Sequence, residues 1–249
     1  MTNKIYFIAN WKMYGHRTSA NSIKNVIRLA KSKKYKHLKL IYCPPYTLID
    51  KFVQKTQNSN ISIGAQDCSD KNGYGAFTGN VSAFQLKNIG SKYVILGHSE
   101  KRLDGDTNKK INQKIKNALN QNLKIILCIG ETLKEKNKKK TIDVLKKQLK
   151  DTLIGINSIK NIIIAYEPVW SIGTGVIPEN KILQKNIDLI SNHLRRRFKY
   201  GKIDIIYGGS VNPNNIKDLN KINNLKGFLI GSASQNQNKF IDIVRKTIN

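Results

Sequence analysis

The sequence predicts an α/β protein, a closed (β/α)8 barrel forming one domain over residues 1–249. Three observations predict it. Eight short apolar runs recur along the chain, each followed by a helix-length segment of mixed polar and apolar residues. The runs are β-branched and unbroken, as strands buried on both faces are, where one-sided strands would alternate. The length of 249 residues suits one barrel and can bury a large core. An open doubly wound sheet is the rival. It usually has fewer strands, and no G-x-G-x-x-G follows the first run.

In order, the runs are 5–9, 38–43, 61–65, 93–96, 123–129, 161–166, 203–207 and 227–230. The first lies so near the amino terminus that no signal peptide is expected, and no apolar run reaches the length of a membrane span. No linker, repeat or low-complexity segment divides the chain. Cys43, Cys68 and Cys128 are odd in number and form no C-x-x-C, which fits a reduced, cytoplasmic setting. His16, His37, His98 and His193 are scattered, so no metal is implied.

The formal net charge of +28 calls for an account. Such a field attracts nucleic acid or steers a phosphorylated metabolite. Yet Lys is spread along every helix expected to face solvent, and the runs 136–140 and 195–197 fall in helical segments without interleaved aromatics. Compositional bias toward Lys, Asn and Ile accounts for it, with substrate steering as a side effect and no specific nucleic-acid partner.

In a parallel barrel the chemistry sits at the carboxyl ends of the strands. The sixth run ends in Glu167-Pro168-Val169-Trp170 and continues to Gly173-Thr174-Gly175. A carboxylate at a strand tip, followed by a loop with rigid ends and a mobile middle, reads as a base beneath a lid. It reads equally well as a solvated Glu in an ordinary loop. Lys12, just past the first run, can bind an anion, although a snorkelling surface Lys is commoner in so basic a chain. His98 follows the fourth run where a helix begins, and the positive helix end would keep its ring neutral. Plain helix capping is its simpler role. Gly208-Gly209-Ser210 after the seventh run and Gly231-Ser232-Ala233-Ser234 after the eighth offer free amides to an anion, in the two loops where such barrels hold phosphate.

Six stretches together resemble the triose-phosphate isomerases: Asn10-Trp11-Lys12; Gly75-Ala76-Phe77-Thr78-Gly79; Leu96-Gly97-His98-Ser99-Glu100; Cys128-Ile129-Gly130-Glu131-Thr132-Leu133; Ala165 through Gly175; and Tyr207-Gly208-Gly209-Ser210. They stand in the family's order and span the chain. The resemblance implies a TIM barrel that interconverts dihydroxyacetone phosphate and glyceraldehyde 3-phosphate without a cofactor, a step of glycolysis and gluconeogenesis. It implies Glu167 as base and neutral His98 as the group that moves protons between the substrate oxygens; both roles are the family's own. Lys12 would stabilise negative charge with Asn10 beside it, and Glu100 would pair with Lys12 or orient its neighbours. Amides of Gly173, Ser210, Gly231 and Ser232 would hold the phosphate. A homodimer is implied too, with the Thr78 loop inserted beside the partner's copy of Lys12. Other phosphate-binding barrel enzymes share the glycine-rich loops. Glu167 and His98 on the sixth and fourth strands separate them from this family.

The chain also departs from the family pattern. Tyr14 replaces an Asn, so the first loop must be held in another way. Lys101 replaces an Arg and loses its planar fork of donors. Asn80 replaces a Glu. Ser171 replaces an Ala at the lid, a change expected to be harmless. Ser232 replaces a Gly, and its amide can serve only if φ there is not positive. Finally, the hinge at Val176-Ile177-Pro178 is about two residues short by its helix-start signals. The Tyr equivalent to Tyr207 latches the family's lid through an amide in that hinge, so here the latch is expected to be weakened or relocated, with more loss of the enediolate to methylglyoxal.

Overall fold

A computed structural model describes residues 4–199 and 203–248; residues 1–3, 200–202 and 249 of the domain expected over 1–249 lie outside the described residues. The strands are β1 (Ile5–Asn10), β2 (Leu38–Cys43), β3 (Ile61–Ala65), β4 (Tyr93–Leu96), β5 (Lys124–Ile129), β6 (Ile162–Tyr166), β7 (Asp204–Tyr207) and β8 (Leu225–Ile230). Each pairs in parallel with the next, and β8 pairs with β1 to close an eight-stranded barrel. Their bounds differ from the apolar runs by two residues at most. Outside the barrel lie α1 (Lys24–Lys31), α2 (Ile49–Thr56), α3 (Ala83–Asn88), α4 (Ser99–Leu103), α5 (Asn108–Asn120), α6 (Leu133–Asn137), α7 (Thr141–Thr152), α8 (Asn180–Arg197), α9 (Ile216–Leu219) and α10 (Gln237–Ile248).

Burial on both faces explains why the strands do not alternate. Ile8, Ile41, Ile95, Ile126, Ala165 and Ile206 pack with one another in one cluster, the barrel interior. Their neighbours Phe7, Leu40, Val94, Leu127, Ile164 and Ile205 belong to the layer under the helices. Closure depends on one glycine. A Cβ on Gly227, whose φ is +141°, would lie 1.9 Å from the Tyr6 carbonyl oxygen, so no side chain fits where β8 meets β1.

Two expectations about the lysines need correction. Lys114 of α5 is only 3% exposed, not a solvent-facing residue; its ammonium pairs with Asp67 at 2.8 Å and Asp106 at 2.6 Å. Buried charge persists only where it is paired in this way. The pairing anchors the base of the loop after β3, helped by Asn117 Nδ2 donating to the Asp70 carbonyl at 2.9 Å. The run 136–140 is not wholly helical either. α6 ends at Asn137, and Lys139 turns the chain with φ +57°. The run 195–197 does end α8, where basic side chains suit the helix's negative end.

Candidate active site

Five strand tips build the site. β1 delivers Asn10 and, just beyond it, Lys12; β4 delivers His98; β6 delivers Glu167; the turns after β7 and β8 supply amides. Lys12 has φ +53°, an uncommon value for a residue with a side chain, and its conformation is held by neighbours. Its amide donates to Asn10 Oδ1 at 3.1 Å. Gln66 Nε2 donates to the carbonyls of Lys12 and Cys43 at 2.8 and 2.9 Å. Gln66 thus supports the first loop, while Tyr14 in that loop points its ring to solvent.

The side chains form a connected row. Lys12 Nζ meets Glu100 Oε1 at 2.6 Å. Glu100 Oε2 lies 3.7 Å from His98 Nδ1, and His98 Nε2 lies 3.5 Å from Glu167 Oε2. The Glu100 amide donates to His98 Nδ1 at 3.2 Å. An acceptor Nδ1 leaves the ring's proton on Nε2, the nitrogen that faces Glu167. His98 also caps α4, so both the capping role and the placement of its Nε2–H hold at once.

Glu167 is 2% exposed. The Ser99 amide donates to its Oε1 at 2.9 Å, while Oε2 is buried without a hydrogen-bond partner. Burial pushes its pKa above the ordinary carboxylate value, partly offset by His98 and the Ser99 amide. Its position is fixed by close packing. A Cβ on Gly130 would sit 1.9 Å from the Glu167 carbonyl oxygen, so the β5 tip can approach the β6 tip only without a side chain.

Beside this row opens a cleft of about 580 Å³ lined by Asn10, Lys12, His98, Gly173, Ser210, Gly231 and Ser232, among others. Glu167 and Glu100 do not line it; the first lies behind His98 and the second flanks Lys12. Ser232 is absent from the residues with positive φ, which meets the condition set for its amide. The Ser210 amide is not open to an anion, because it donates to Ser171 Oγ at 3.3 Å. Among the described residues no cluster of His, Cys, Asp and Glu is arranged to hold a metal ion.

Three supports escaped the sequence reading. Arg102 stands one place beyond Lys101 and provides the planar fork. It donates to the Gly97 carbonyl at 2.7 Å, to Asn108 Oδ1 at 2.7 Å and to the Cys128 carbonyl at 3.2 Å, tying the tips of β4 and β5. Lys101 itself pairs with Asp104. Glu131, which is buried, accepts from Trp170 Nε1 at 2.9 Å and from the Tyr166 hydroxyl at 3.2 Å. Burial raises its pKa. Lys136 Nζ stands 3.5 Å over the Trp170 ring. Ser171 is the third, a position to which the sequence assigned no contacts. It is 0% exposed, and its hydroxyl meets Val176, Tyr207 and Ser210.

The family model of triosephosphate isomerase matches residues 5–247. The chain belongs to the triosephosphate isomerase family. It is 39% identical to the triosephosphate isomerase of Rhizobium meliloti (strain 1021), over 95% of this chain and 93% of that one. It is 38% identical to the triosephosphate isomerase of Yarrowia lipolytica (strain CLIB 122 / E 150), over the whole of both. The crystal structure of triosephosphate isomerase from Bartonella henselae superposes with a TM-score of 0.90 at 32% identity, covering 98% of this chain and 99% of that chain. Membership of the triosephosphate isomerase family makes the chain an intramolecular aldose–ketose isomerase, interconverting dihydroxyacetone phosphate and glyceraldehyde 3-phosphate.

Proposed function

We propose that this isomerisation runs through an enediolate, with Glu167 as the base. Glu167 removes the proton from the carbon beside the substrate carbonyl and returns it to the neighbouring carbon. The Nε2–H of neutral His98 donates to the oxygen where charge develops and moves protons between the two substrate oxygens. Lys12 stabilises that charge and, with Asn10, holds substrate oxygen. Glu100 holds Lys12 until substrate arrives. Amides of Gly173, Gly231 and Ser232 take the phosphate, while the Ser210 amide stays on Ser171. The observation carrying this reading is the row Lys12–Glu100–His98–Glu167 at one rim of the barrel. A buried carboxylate oxygen lacking a partner, beside a ring N–H, is poised as a base: desolvation raises its proton affinity toward the working pH.

The homodimer belongs to the same proposal. Met13, 95% exposed, and Tyr14 stand on the loop that carries Lys12, and Tyr74 and Phe77 on the loop after β3 are exposed as well. Large exposed apolar side chains on two loops mark a surface meant for covering. A second copy would bring Thr78 beside the Lys12 loop. The three cysteines, all buried and unpaired, support a reducing cytoplasmic setting. A coupled isomerase assay on the wild type and Glu167→Gln tests the reading. Loss of the base is expected to lower kcat by about a thousandfold or more while KM changes little. Comparable turnover in both would overturn it.

A further inference from the structure

The lid loop between β6 and α8 is fastened at its far end by one side chain. The Ser171 hydroxyl donates to the Val176 carbonyl at 2.6 Å. It also lies 2.9 Å from the Tyr207 hydroxyl, and the Ser210 amide donates to it at 3.3 Å. A serine hydroxyl has one proton and two lone pairs. Its proton is committed to Val176, so Tyr207 must donate, and together with the Ser210 amide it fills the remaining capacity. One buried side chain therefore joins the start of the loop, its end, the β7 tip and the turn after β7.

A second tie runs in parallel, the Gly175 amide donating to Ser210 Oγ at 3.0 Å. The turn is shaped around the cluster. A Cβ on Gly209 would come within 2.2 Å of the Tyr207 hydroxyl and 2.6 Å of Ser171 Oγ. The Tyr207 hydroxyl thus meets a side chain of the loop itself.

We propose that Ser171 is a positioning residue whose hydroxyl takes over the fastening that a longer hinge would supply, holding the loop and the Ser210 turn in register over the cleft. The inference rests on the isomerase reading above. Ser171 touches no reacting atom. It acts through Gly173, Gly175 and Ser210, which line the cleft. If the loop is loosely held, the enediolate is exposed. Its electron pair then expels phosphate by breaking the carbon–oxygen bond, and the enol left behind becomes methylglyoxal. The hydroxyl is expected to keep this loss low, so the leak anticipated from the short hinge emerges only when Ser171 is altered.

The test uses Ser171→Ala, Tyr207→Phe and the double variant, with kcat/KM, methylglyoxal formed per turnover and thermal unfolding measured for each. Ser171→Ala is expected to lower kcat/KM by about tenfold and raise methylglyoxal per turnover several-fold. The double variant should be no worse than the worse single one, because both remove the same unit. Should Ser171→Ala not fold, Tyr207→Phe alone decides, since it removes one donor and keeps the ring packing. Wild-type methylglyoxal per turnover in an otherwise active variant would overturn the inference and leave the isomerase reading standing. A wild-type protein without isomerase activity would remove both.

Discussion

The two ends of the lid are held by opposite means. At the near end, the Trp170 indole and the Tyr166 hydroxyl converge on the buried carboxylate of Glu131, and Lys136 covers the indole from outside. At the far end the knot is a neutral hydroxyl, Ser171, shared among neutral partners. Hydrogen bonds to a charge are roughly twice as strong as neutral ones. A fixed pivot therefore suits the first end and a releasable clasp the second. The loop should swing about Trp170 and open at Ser171.

Breaking the pivot should cost most. Glu131→Ala strands the buried Tyr166 hydroxyl and the half-buried Trp170 indole, and is expected to lower the unfolding free energy by about 2–3 kcal/mol, measured by urea denaturation. If the pivot and the clasp contributed alike, Ser171→Ala would lose as much; it should lose clearly less. Gly209→Ala sharpens the other side of the comparison. Its Cβ would wedge between Tyr207 and Ser171. We expect about tenfold lower kcat/KM, with the same rise in methylglyoxal as Ser171→Ala, at a stability cost of roughly 1–2 kcal/mol.

Glu167, just before the lid, gives a smaller effect of opposite sign on stability. Burial raises its pKa, so the native state keeps this proton in a window where the unfolded chain has released it. Stability from this group therefore falls as pH rises through that window, and the loss is complete above the folded pKa. Glu167→Gln should melt higher than wild type at pH 8, with the gain shrinking on acidification toward the ordinary carboxylate range. An unchanged difference across that range would contradict the assignment of cause. The smallest expected effect is that of Lys136→Met, about 0.5–1 kcal/mol from the lost cation–π contact over Trp170.

These contrasts also mark what the sequence could tell. The strands were legible because burial on both faces leaves an unbroken apolar run, a local signal, and their order followed from alternation with helices. Glu167, His98 and Lys12 were legible as strand-tip residues in recognisable stretches, since each reads against its immediate neighbours. Ser171 was misread. Its importance depends on Tyr207 and Ser210, more than thirty residues away, and no local pattern announces that three partners will meet one hydroxyl. The same holds for Lys114, one lysine among many until Asp67 and Asp106 fold against it. Glu131 and Arg102 sat inside or beside stretches already noted, yet their work is to brace neighbours, which only contact reveals.

The crowding at Gly209 binds its neighbours together. With Tyr207 and Ser171 filling the place a side chain would need, positions 171, 207 and 209 cannot drift one at a time. Replacing Ser171 by alanine while the rest stays as it is would leave the loop unfastened. The order in which these positions can change is therefore constrained.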